Sequence, residues 1–246
     1  ILLAAVAAAR AEDGNVSLAV PADEQIDAGV EKAPDCPYLD KKLRARLVDF
    51  IDCATPADEE PHPLLGDSHH RVRRSDTAGA YRQTGPHANS WFAYRYRTGG
   101  KQRPHVVIVE FPDDAYRTAC VFMHEPWMRG TFNSSFHVEG GYWTGRELAT
   151  SGGKKAIELW VWPREDWPAV VVMNHSDSVP AAASRIWVYE VPGGLPAAEV
   201  KEPEDLPRRH IGAFFEDTRM YNFNFGSTGK VGAERLVEYL KYAGHN

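Results

Sequence analysis

The 246-residue chain has little that would tie it to a membrane, a nucleic acid or a metal. Its longest uninterrupted apolar run is Ile1 to Ala9, well short of the about 20 residues that cross a bilayer. Lys and Arg are scattered under a formal net charge of −6, apart from short groups at Arg71/Arg73/Arg74 and Arg208/Arg209. No concentrated basic face of the kind nucleic acid requires is readable, so no nucleic-acid partner is expected. The pairs His69-His70 and His124-Glu125, and His137 with Glu139, match no zinc-ligand spacing, and Asp113-Asp114 alone does not make a calcium loop. Gly152-Gly153-Lys154-Lys155 lacks the first Gly and the final Ser or Thr of a phosphate loop, and Ser134, Ser135 and Ser151 have no nucleophile-elbow context. We therefore expect neither a metal nor a cofactor.

Cysteine is also sparse: Cys36, Cys53 and Cys120. The nearest pair, Cys36 and Cys53, brackets a segment (40–51) that reads as helical and would hold its ends roughly 18 Å apart. A bridge would need the chain to double back, so one disulfide and free buried thiols both stay open.

The front of the chain runs from an apolar stretch into Ala9-Arg10-Ala11 and then Glu12-Asp13-Gly14-Asn15. That order reads as the back half of a secretory signal peptide cleaved after Ala11, against an ordinary Ala-rich helix. A secreted or periplasmic protein with no integral membrane segment in the mature chain is expected. Residues 12–37 read as an extended leader. Leu39, Leu43, Leu47, Phe50 and Ile51 then recur at helical spacing, predicting a short amphipathic helix over 38–53, or a helical turn followed by a strand over 47–53. Residues 55–67, acidic and proline-rich, read as a loop.

From residue 68 onward the period changes. Short strand-like runs are read at 70–74, 91–97, 105–111, 118–123, 136–140, 155–162, 169–174 and 183–191, separated by Gly, Pro, Asn and Asp turns. The run 105–111 is almost continuously apolar, as in a strand buried on both faces. Eight strands without helical crossovers predict a mainly β chain: an antiparallel, jelly-roll-like β-sandwich over 55–191. Residues 192–207, rich in Pro and acid, read as a linker. Residues 208–246 give a strand (His210 to Phe215), a loop and a helix over 230–242. These are the first βα unit of a truncated (β/α)8 barrel. The helix face Val231, Leu236, Val237 and Leu240 is expected to be poorly packed, because the barrel it would cover is absent.

Two groups of residues are candidates for contact with a ligand. Glu216 and Asp217, at the carboxyl end of the barrel strand, lead into a loop with Tyr221, Asn222 and Asn224. Stacking rings and amide hydrogen bonds of this kind suit a polar, ring-shaped substrate. The second group is aromatic. Trp160, Trp162 and Trp187 sit in strand patterns and read as packing residues, whereas Trp127, Trp143 and Trp167 stand in loop-like sequence and are the better ligand candidates, against burial as the common fate of Trp. No catalytic residue is assignable.

The segments Leu47-Val48-Asp49-Phe50-Ile51-Asp52-Cys53-Ala54, Trp91-Phe92-Ala93-Tyr94-Arg95 and Val107 to Asp114 with Arg117 come in a telling order, and Ala183 to Val191 then leads into the barrel opening. The series resembles the N-terminal region of large, exported, multidomain bacterial proteins of the planctomycete and verrucomicrobial type. In those, a jelly-roll-like domain precedes a glycoside-hydrolase-like (β/α)8 barrel. The resemblance implies the N-terminal fragment of a carbohydrate-active protein, with the sandwich as an accessory domain, a carbohydrate polymer or oligosaccharide as partner, and a fragment that is inactive alone. A non-catalytic glycan- or cell-surface-binding module and a purely structural sandwich are the competing readings.

Overall fold

The computed structural model describes residues 22–124, 139–197 and 229–244. Helix α1 (Asp23–Lys32) leads into strands β1 (Arg46–Asp52), β2 (Leu64–Gly66), β3 (Arg71–Ser75), β4 (Gly79–Gln83), β5 (Trp91–Arg95) and β6 (His105–Pro112). There follow β7 (Arg117–His124), β8 (Glu139–Thr144), β9 (Lys154–Val161), β10 (Ala169–Asn174), β11 (Ala182–Ala183) and β12 (Arg185–Glu190), then helix α2 (Gly229–Tyr242). Every strand pair is antiparallel. One sheet has the order β1-β12-β6-β9, a second β2-β5-β10-β7-β8, and a small third β11-β4-β3. The chain is thus mainly β and sandwich-like, with more strands among the described residues than the eight expected.

Alternation along the strands builds the core. Val107 and Val109 of β6, Ile186 and Val188 of β12, and Leu159 and Val161 of β9 face Phe92 and Tyr94 of β5, Val121 and Met123 of β7, and Val170 and Val172 of β10. Each such fully buried side chain contributes roughly 1.5–3 kcal/mol. The opposite face of the four-stranded sheet is apolar too. Val106, Ile108, Trp160, Trp162, Trp187 and Tyr189 are covered by Tyr38, Leu39, Leu43 and Leu47, and by α2. All eight residues of β6 are therefore buried, as its unbroken apolar run predicts.

The structure departs from the sequence reading in several places. Residues 46–52 form β1, which bears out the strand alternative over 47–53 and not the helix over 38–53. The β1–β12 register shifts between Leu47 and Asp49, so the strand bulges at Val48. The bulge puts Leu47 and Phe50 on one face and Val48 and Ile51 on the other, a spacing of three that imitates a helix. β2 and β4 are short strands in stretches read as loop or left unassigned. The leader contains α1, held by Arg97, whose guanidinium lies 2.7 Å from Asp27 and 3.6 Å from Asp23. α2 is docked on the sandwich: Tyr239 and Tyr242 lie against Trp160 with ring centroids 6.2 and 5.1 Å away, and Leu236 packs beside them. Only Val231 and Val237 of its expected apolar face stay exposed. Cys36, Cys53 and Cys120 are free thiols. The expected strand at 210–215 lies outside the described residues, as do residues 136–138 of the one expected at 136–140.

A sheet buried on both faces cannot tolerate unpaired charge. Glu190, fully buried, accepts from Arg46 at 2.6 Å and Arg103 at 2.8 Å. Glu110 accepts from Lys154 at 2.9 Å and from the Tyr38 hydroxyl at 3.2 Å. The deepest cluster is centred on His62. Its Nε2 lies 2.8 Å from Asp49 and its Nδ1 2.6 Å from Glu60, and all three side chains are almost wholly buried. Asp49 also accepts the backbone N–H groups of Phe50 and Arg97, so its carboxylate ties β1 to the segment after β5.

Burial acts to lower the pKa of His62, but the hydrogen bonds and charges of Asp49 and Glu60 outweigh it and raise the group to about 9. The stabilisation from this raised value is fully present below the ordinary histidine range near 6.5 and is lost as pH rises through about 9. Denaturant unfolding should show wild-type stability falling by on the order of 3 kcal/mol between pH 6.5 and 9. His62→Gln should start lower and vary less across that window; equal slopes for the two proteins would refute the charged-His62 assignment.

Candidate functional site

Trp143 lies on β8, at the edge of the five-stranded sheet, directly across from Thr118 of β7. Alternation along β7 sends Ala119, Val121 and Met123 into the core, and so turns Thr118 and Cys120 to the opposite face. On β8 the same rule buries Tyr142, stacked at 3.8 Å on Phe111, and turns Trp143 outward, where the residue is 55% exposed. An open groove of about 650 Å³ runs along this face, lined among others by Tyr116, Thr118, Cys120, Trp143, Arg146 and His175.

Anchored neighbours hold the groove in shape. Arg117 donates to Asp114, Gln83 and Tyr81, fixing the residue next to Tyr116. Thr144 donates to the Ala115 carbonyl at 2.6 Å. Gly145 adopts φ +71°, and a Cβ there would sit 2.8 Å from the Tyr116 Cα, so only glycine lets the turn press against the Tyr116 backbone. Arg146 follows, also left-handed at φ 56°. Its guanidinium carbon lies 5.5 Å from the centroid of the Tyr116 ring, which itself stands 6.4 Å from the Trp143 ring. The turn thus delivers one aromatic platform, one tyrosine and one cation to the same wall.

The floor is polar at one point. Thr118 is 6% exposed, and its hydroxyl has no hydrogen-bond partner among the described residues. An unsatisfied buried hydroxyl costs about 1–3 kcal/mol. His175 follows the end of β10, with its Nδ1 3.9 Å from the Cys120 sulfur. Among the described residues no group of three or more His, Cys, Asp or Glu stands close enough to hold a metal ion. None of their helices is long and apolar enough to cross a membrane.

Of the aromatic candidates, Trp143 alone of the two described stands open. It belongs to a strand, not to the loop its sequence suggested. Trp167 is half-buried in the β9–β10 turn at φ 60°, and its carbonyl accepts from Arg95 at 2.7 Å. That turn leads into Ala169, which pairs with His124 at the far end of β7. Six residues separate Thr118 from His124, about 20 Å along the strand, so Trp167 does not share the groove. Trp160, Trp162 and Trp187 are buried, as their strand patterns predict. Trp127, Glu216, Asp217, Tyr221, Asn222 and Asn224 lie outside the described residues. Sequence reasoning missed Tyr116, Thr118, Arg146 and His175. The alternation Tyr116, Thr118, Cys120 was a readable signal for one open face, but the register that sets it beside Trp143 was not.

No family model matches the chain, and no curated protein sequence does. Among solved structures, a family 35 carbohydrate-binding module from Clostridium thermocellum aligns with 57% of this chain and 98% of its own length, at 12% identity and a TM-score of 0.39. The CBM36-1 domain of a multidomain xylanase from the hindgut metagenome of Trinervitermes trinervoides aligns with 59% of this chain and 96% of its own, at 8% identity and a TM-score of 0.36. An exo-β-1,3-galactanase from Phanerochaete chrysosporium aligns with 57% of this chain at 13% identity and a TM-score of 0.35. The match spans 29% of that enzyme. At these scores the sandwich assignment rests on the strand pairing itself, and the chemistry of the groove on its own residues.

Gly145→Ala should destabilise the chain by roughly 1–3 kcal/mol, from left-handed strain and the backbone contact with Tyr116. Trp143→Ala should stay within about 0.5 kcal/mol of wild type, because its ring packs little. Chemical denaturation of both checks the pair; a large loss for Trp143→Ala would make that residue structural.

Proposed function

We propose that the sandwich is a glycan-binding module, and that its binding face is the groove at the β7–β8 edge. The observation that carries this is the exposed Trp143 ring on a groove that also presents the Tyr116 hydroxyl and the Arg146 guanidinium. A pyranose ring needs both: apolar C–H faces to stack on an aromatic surface, and hydroxyls to pair with fixed polar groups. The buried carboxylates Glu110, Glu190 and Asp49 are committed to Lys, Arg and His partners, which supports binding rather than hydrolysis by this part of the chain.

Around this reading we place the remaining expectations. Residues 1–11 are a signal-peptide remnant and the protein is exported. The sandwich follows jelly-roll topology. Residues 192–207 link it to the opening of a glycoside-hydrolase-like barrel, where Glu216, Asp217, Tyr221, Asn222 and Asn224 contact sugar. A structural role for the sandwich is the second reading. The docking of α2 on Trp160 supports it, because that contact makes the four-stranded sheet a support for whatever α2 belongs to.

Affinity electrophoresis of the chain against a panel of plant, algal and bacterial polysaccharides tests the proposal. At least one polymer should retard it, and Trp143→Ala should weaken that binding by about tenfold, corresponding to the 1–2 kcal/mol of one stacking contact. Trp167→Ala should bind like wild type. No retardation by any polymer would leave the structural reading in its place.

A further inference from the structure

We infer that the groove takes an anionic sugar, a uronate whose carboxylate is held by Arg146; this rests on the groove being the glycan site. The charge of the lining points there. Among the described residues the lining contains one Arg and one His and no Asp or Glu. A site for neutral sugars draws on acceptors, above all carboxylates, that take hydrogen bonds from sugar hydroxyls. Here the one permanently charged side chain, Arg146, only donates, while the Tyr116 and Ser176 hydroxyls can donate or accept.

Arg146 is the group most in need of a partner. Its described contacts are both with Tyr116: the guanidinium over the ring, and an Nη1–hydroxyl distance of 3.4 Å. No carboxylate among the described residues pairs with it. Three acids nearby in sequence are engaged elsewhere. Asp114 accepts from Arg117 at 2.9 Å, Asp113 lies 2.8 Å from Lys155 and accepts the Ser151 N–H, and Asp177 accepts the Ala88 N–H. Glu147 follows Arg146 in sequence but does not line the groove. A guanidinium whose stem is fixed by a left-handed turn, and whose face rests on an aromatic ring, keeps its fork of N–H groups free for a planar oxyanion.

The rest of the wall fits the same ligand. With the pyranose face on Trp143, a ring carboxylate can reach toward Arg146 across Tyr116, which stands between the two. The imidazole of His175 offers a further donor from whichever ring nitrogen carries hydrogen. The net charge of −6 matters here, because the chain as a whole repels polyanions. Attraction to an acidic polymer must then be local to this groove rather than a property of the whole surface.

The test uses the full 246-residue chain with polygalacturonate, alginate and glucuronoxylan, each beside its carboxyl-reduced counterpart, which keeps the backbone and removes the charge. Dissociation constants come from affinity electrophoresis and calorimetry. At least one acidic polymer should bind about tenfold more tightly than its reduced form, and the difference should shrink as salt screens the pair. Arg146→Gln should erase that difference by weakening the acidic polymer more than the reduced one. Trp143→Ala should weaken both forms. Equal affinity for charged and reduced polymers, or an Arg146→Gln variant that still discriminates, overturns the uronate inference and leaves the glycan site standing. Failure of every polymer, charged or reduced, to bind overturns both.

Discussion

The constraint on which this molecule depends is the two-sided burial of β6. The strand lies between β12 and β9, with all eight of its residues out of solvent. One of its faces meets the second sheet and the other meets the chain that precedes β1, together with α2. A strand so placed has no surface on which to leave a charge. The polar groups that reach this layer accordingly arrive with partners: Glu110 with Lys154, Glu190 with Arg46 and Arg103, Asp49 with His62. These pairs do more than neutralise. Each joins segments far apart in sequence, and Asp49 in particular clamps the bulged first strand onto the turn beyond β5.

With the four-stranded sheet occupied on both faces, the recognition surface we propose lies on the five-stranded sheet. β8 is its edge strand, and there the alternation of side chains meets solvent. Tyr142 turns inward to stack on Phe111 and Trp143 outward, so one residue step separates a core contact from an exposed platform. The turn that follows is tightened by two left-handed residues, Gly145 and Arg146. Stacking surface, buried hydroxyl and cation thus share one wall because strand period and turn geometry coincide there.

The parts of this architecture legible in the sequence were those whose pattern is local and strong. The apolar runs of β6, β7 and β10 were readable as strands, and Trp160, Trp162 and Trp187 as packing residues. β1 was disguised, because its bulge at Val48 converts a two-residue period into one resembling a helix. β2 and β11 are too short to carry a period at all. Trp143 was recognisable as a candidate but looked like a loop residue, since the expected strand stopped at Gly140 and Gly141-Tyr142-Trp143 read as loop. Thr118 and Arg146 were illegible for another reason. Their role comes from the β7–β8 register and from the backbone of Gly145, and neither is written in residue type.

The three-stranded sheet ends in β3, whose arginines Arg71, Arg73 and Arg74 all stand exposed on the outermost strand. A strand edge is a template on which another chain can add, and two copies of this protein could meet there edge to edge. The arginines oppose it. A second molecule aligning its own β3 would bring six guanidinium groups together in an antiparallel ladder, with like charges facing across the strand gap. The same three residues, one of the two short basic groups of the sequence, thus set like charge along the edge of the smallest sheet, where it disfavours the pairing of two copies.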